Sequence, residues 1–102
     1  MFTLAAKVSA DGRLLAGSGI TSVDKFGTGR YNLTTDRDIS NSALIGTVNS
    51  LDGNTDVGPG SSSILVAPVD ANTLFVRTAT PSAGSPAHVD DDRPFSVAVF
   101  GE

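Results

Sequence analysis

Glu, Gln, Lys and Met, straight-chain residues that build long helices, are almost missing from this chain. It has one Glu (Glu102), one Met (Met1), two Lys (Lys7 and Lys25) and no Gln. Ten Val and ten Thr stand in their place, with twelve Ser and eleven Gly. Helix propensity therefore excludes long helices, whereas β-branched side chains suit a pleated, half-buried surface. With 102 residues there is room for one domain, residues 1–102, and for a thin core.

Glycine, proline and Asx clusters cut the chain into short apolar runs. Phe2, Leu4, Ala6, Val8 and Ala10 alternate with polar or small residues, which predicts a half-buried strand closed by Asp11-Gly12. Ile20 to Phe26 and Arg30 to Asp36 flank Gly27-Thr28-Gly29. A three-residue loop ending in glycine suits a hairpin whose last loop residue is left-handed. Ala43 to Val48, Ser63 to Ala67, Thr73 to Thr78 and Phe95 to Phe100 also read as strands. The last is apolar on both faces, so it should lie centrally or be covered by a partner. Two long loops are expected, from about Ser50 to Ser62 and from about Ala79 to Pro94. The predicted fold is all-β: one antiparallel β-sandwich, jelly-roll-like, of about seven or eight strands.

Charge narrows the partners. Seven basic residues face eleven acidic ones, a net charge of −4, and the basic residues are scattered singly. Phosphate backbones require clustered positive charge, so no nucleic-acid partner is expected. The run Ile64-Leu65-Val66-Ala67-Pro68-Val69 is far shorter than the ~20 residues of a membrane span, and no membrane insertion is expected. With no cysteine there are no disulfides and no thiolate sites.

Three groups of residues could carry chemistry. His88, the single histidine, has Asp90, Asp91 and Asp92 nearby. A catalytic triad needs a strained nucleophile and a rigidly held base. His88 instead falls in a Ser/Pro/Ala-rich loop, and no Gly-x-Ser-x-Gly element exists. Asp52, Asn54 and Asp56 place oxygen ligands at alternate positions, as a calcium loop does. The glycine is out of step with the EF-hand pattern, however, and Ser63 replaces the bidentate Glu. An Asx/Gly turn cluster is the simpler reading. The Asp90–Asp92 run reads as a solvated loop with a local Arg93 pair. Asn32-Leu33-Thr34 is a glycosylation sequon inside a predicted strand. No catalytic residue, metal ligand or cofactor is assigned, and no enzyme is expected.

Several strings carry a resemblance: Gly19-Ile20-Thr21-Ser22-Val23, Gly27-Thr28-Gly29-Arg30-Tyr31, Asp36-Arg37-Asp38-Ile39-Ser40, Val66-Ala67-Pro68, Phe75-Val76-Arg77-Thr78 and Arg93 to Phe100. Together they resemble a β-rich domain of bacterial surface proteins and phage fibres, often the head of a fibrous or collagen-like chain. The resemblance spans roughly residues 3 to 100. It implies a structural or adhesive role, commonly as a homotrimer, and no catalytic residue. That family often has cysteines where this chain has Asn41-Ser42 and Gly101, so packing or oligomerisation must replace the staple. The first strand begins at once, without stalk or export signal, which favours a virion protein. The expected function is a phage structural or adhesion protein (fibre head, tip or capsid decoration), with itself, other virion proteins or a bacterial surface glycan as partners. The alternative is an extracellular binding module at the bacterial surface, for carbohydrate or adhesion. Under either reading His88→Ala should leave the fold and every binding activity unchanged; retained fold with abolished binding would restore a chemical role to His88.

Overall fold

The structure, a computed structural model, describes residues 1–49, 63–81 and 88–101; for Thr80, Pro81, His88 and Val89 it describes the backbone. Among these residues the chain forms nine strands: β1 (Phe2–Val8), β2 (Leu14–Ser18), β3 (Ile20–Gly27), β4 (Arg30–Thr35), β5 (Ala43–Val48), β6 (Ser63–Asp70), β7 (Thr73–Pro81), β8 (His88–Asp90) and β9 (Phe95–Gly101). One sheet runs β2-β1-β9-β5 and the other β3-β4-β7-β6, every pairing antiparallel. The protein is an all-β sandwich. Short β8 pairs with Ala79–Pro81, past the stretch of β7 that β4 covers.

Alternation builds the core. Leu4, Ala6 and Val8 of β1 and Phe95, Val97 and Val99 of β9 point inward from one sheet. Tyr31 and Leu33 of β4 and Leu74 and Val76 of β7 meet them from the other. As its two apolar faces predicted, β9 lies inside its sheet, between β1 and β5. Its outward residue Phe100 is nonetheless 46% exposed.

The chain leaves β2 for the opposite sheet at Gly19, whose φ is +80°. A Cβ there would strike Leu4 and come within 3.1 Å of Asp36 Oδ1, so the corner demands glycine. Near it, Asp36 to Ser40 closes one end of the sandwich. Ile39 is buried, its N–H donates to the Ala71 carbonyl at 2.8 Å, and Asn72 Nδ2 donates to the Arg37 carbonyl at 3.2 Å.

Two expectations need correction. Leu14–Ser18 forms a strand that periodicity does not announce, because all five residues are exposed at a sheet edge. The loop expected from Ala79 to Pro94 contains the end of β7 and all of β8, so the backbone of His88 belongs to a strand. Cross-strand pairing with Ala79–Pro81 overrides its loop-like composition. The other expected loop, with Asp52, Asn54 and Asp56, lies outside the described residues.

Tyr31 offers a direct probe of the packing, because it is the single tyrosine. Its ring is fully buried, and its hydroxyl donates to the Ala10 carbonyl at 2.6 Å. Burial first, and the nearby Asp92 carboxylate second, push its pKa from 10.0 up to about 12. A raised phenol pKa stabilises the fold below the unfolded value, and this contribution is lost as pH climbs toward 12. Phenolate absorbance of the folded protein should therefore show a midpoint near 12, against about 10 in denaturant. Equal midpoints would mean that the ring is wet.

Candidate functional site

Of the residues that the sequence singled out, Asp90, Asp91 and Asp92 collect at the tip of the β3–β4 hairpin. The register sets Arg30 of β4 directly opposite Arg77 of β7. Like charges facing each other across a sheet repel. The segment from β8 into β9 supplies the counter-charge. Asp90 Oδ2 lies 3.0 Å from Arg30 Nη2, and Asp90 Oδ1 accepts from Arg77 Nε at 2.6 Å. One carboxylate thus bridges both guanidinium groups. Its pKa is held below the ordinary 3.8, first by the hydrogen bond from Arg77 and then by that from Arg30.

The next two aspartates are engaged as well. Asp92 Oδ1 accepts the Gly29 N–H at 2.7 Å, and Lys25 Nζ lies 3.3 Å from Asp92 Oδ2. Asp91 pairs with Arg93 at 3.2 Å. The Asp91 backbone meets Thr78 twice: its N–H donates to the Thr78 carbonyl at 3.1 Å, and its carbonyl accepts from Thr78 Oγ1 at 2.5 Å. The run expected to be a solvated loop is a strap pinned across the hairpin. Partners some sixty residues away in sequence correct that expectation.

Gly29 makes the strap possible. Its φ is +67°, as the hairpin reading required. A Cβ would strike the Thr78 carbonyl and lie 2.9 Å from the Asp91 nitrogen. Left-handed backbone and close approach of the strap both call for glycine here.

Every carboxylate of the strap is committed to a cation or an N–H group. The cluster therefore holds backbone in place and offers no open pair of acid and base groups. Among the described residues no three His, Asp, Glu or Cys side chains gather to hold a metal. Asn32 of the sequon is half-buried in β4, paired with Asp24 and Phe75. Sequence reading found Asp90–Asp92 and Arg93 but missed Lys25, Arg30 and Arg77. Register alone reveals the opposed arginines, and one sequence does not supply it.

Two surface features remain. A hollow of about 190 Å³ is lined by Phe2, Asp38, Asn41 and Ser42, and the buried Ser42 Oγ has no hydrogen-bond partner. Arg37 lies 5.1 Å from the centre of the Phe2 ring. The second feature is the outer face of the β2-β1-β9-β5 sheet. Alternation places Ala43, Ile45, Thr47, Ser96, Ala98 and Phe100 side by side there, with Ile45 57% exposed. No family model, curated protein or solved structure matches this chain.

The strap makes stability depend on acid. A depressed carboxylate pKa contributes stability above the unfolded value, and this is lost as pH falls through the folded one. The urea midpoint should drop as pH falls below the unfolded value of 3.8, and Asp90→Asn should flatten that drop. Gly29→Ala should cost more than the ~1–2 kcal/mol that left-handed backbone alone imposes. An unchanged midpoint in Gly29→Ala would overturn this account of the hairpin.

Proposed function

We propose that this protein is a non-enzymatic structural or adhesion subunit of a phage particle, a fibre head, tip or capsid decoration, working as a homo-oligomer. The observation that carries the reading is the outer face of the β2-β1-β9-β5 sheet. Phe100 and Ile45 are 46% and 57% exposed there, among alanines, serine and threonine. Beside them the neighbouring β1 contributes Lys7 as the face's one charge from these three strands. A continuous apolar face of this kind marks a surface that is covered in use. Burial against identical copies is the simplest cover. Resemblance to fibre heads implies three copies and a place in the virion.

The hollow beside Phe2 favours a second reading, a bacterial extracellular module that binds a glycan. An aromatic edge with Asp38 and Asn41 suits a sugar's mixed apolar and hydroxylated surface. Fractionation of the native source separates the two readings. Co-sedimentation of the polypeptide with purified virions is the expected result; recovery on a bacterial envelope would replace the first reading with the second. Sedimentation equilibrium at micromolar concentration should give a mass several times 10.4 kDa. A stable monomer would remove the homo-oligomer.

A further inference from the structure

We infer that β5 is a strand-pairing edge, joining its own copy in a second chain antiparallel about a twofold axis. The inference rests on the homo-oligomeric reading and names its contact.

Besides three-residue β8, which is short and carries Asp90, the described residues have four edge strands, β2 and β5 in one sheet and β3 and β6 in the other. Open edges invite unwanted pairing, and proteins blunt them with bulges, prolines and charges. Three of these edges are blunted. The register of β2 skips at Leu15, and that of β3 skips at Thr21 and Phe26, with Asp24 and Lys25 between. The register of β6 skips at Val69, next to Pro68 and Asp70. β5 has none of these devices. Its six residues, Ala43-Leu44-Ile45-Gly46-Thr47-Val48, carry no charge and no proline, and each has its partner on β9 without a break.

The hydrogen-bond pattern identifies the free groups. The Asn49 N–H donates to the Pro94 carbonyl at 2.8 Å, continuing the register of β5 on β9. Antiparallel ladders alternate, so Ala43, Ile45 and Thr47 also bond towards β9. The N–H and C=O groups of Leu44, Gly46 and Val48 therefore point away from the sheet. Among the described residues no second strand pairs with them, and the Val48 carbonyl accepts only a long bond from the adjacent Thr47 Oγ1 at 3.4 Å.

A second β5 satisfies them in one register. Centred on Gly46, Leu44 pairs with the second copy's Val48 and Gly46 with itself. Every free group of those three residues is then bonded. On the outer face Ile45 lies against the second copy's Thr47, a favourable β-branched pair. The lack of charge removes repulsion between identical strands, whereas a charged strand would need a different partner. Two four-stranded sheets become one of eight, and the apolar outer face runs on across the axis. The contact joins chains in pairs, so a closed assembly that uses it holds an even number of them, six where the threefold contact of fibre heads also operates.

Two double substitutions at exposed positions test the contact and its register. I45K/T47K sets ammonium groups opposite each other across the axis, and I45E/T47K sets carboxylates opposite ammonium groups. Sedimentation equilibrium at micromolar concentration should show an even number of chains for the unaltered protein. The mass should halve in I45K/T47K and be restored in I45E/T47K. Amide hydrogen exchange should be slow at Leu44, Gly46 and Val48 in the unaltered protein and fast in I45K/T47K. Should I45K/T47K fail to fold, exchange at those three amides in the unaltered protein decides. A trimer in which they exchange fast would overturn the β5 pairing and leave the homo-oligomeric reading standing. A monomer would overturn both.

Discussion

The contact between Tyr31 and Phe95 joins the two sheets, and much of the structure is arranged around it. The rings meet edge to face with centres 4.8 Å apart, and both are fully buried. Tyr31 lies on β4 next to the hairpin tip. Phe95 opens β9 directly after the Asp90–Asp92 strap. The strap's ion pairs and the aromatic contact are therefore successive grips of one segment on one hairpin. Asp92 fixes the Gly29 amide, Asp91 fixes Thr78, and three residues later Phe95 enters the core. In a chain without disulfides, this long-range fastening ties the C-terminal strand to the middle of the sequence.

What could be read in the sequence follows from what each element buries. β1, β4, β7 and β9 each turn an alternating face into the core, and their positions were legible, as was the central placement of β9. The hairpin and its left-handed Gly29 were legible, but the loop is two residues rather than three, because Gly27 ends β3 opposite Arg30. β2 was not, because an edge strand exposed along its whole length has no reason to alternate. β8 was hidden by composition. Three residues after a Ser/Pro/Ala-rich stretch carry no signal of their own, and their pairing with Ala79–Pro81 comes from tertiary context.

The site was half legible. Asp90–Asp92 is conspicuous in the sequence, yet its role is set by cations at 25, 30 and 77, which chain order keeps apart. The repulsion that Asp90 relieves arises from the register of β4 on β7. Folding thus turned an apparent solvated acidic run into a structural counter-ion.

The other aspartates extend this point. Asp38 accepts from the Ser40 N–H at 2.8 Å, Asp70 accepts from the Asn72 N–H at 2.9 Å, and Asp11 accepts from the Ser9 hydroxyl. The first two are turn closures in which a short carboxylate bonds backbone two residues on. Together with the strap, they account for much of the chain's acidity within its own scaffold. Asp38, Asp70 and Asp90 are thus spent on turns and on opposed arginines. The surface left for recognition is of another kind: an apolar sheet face around Phe100 and Ile45, ending in an edge strand of uncharged residues. Under the proposed assembly, such a surface would be matched by shape and backbone rather than by charge, as another β-sheet can supply.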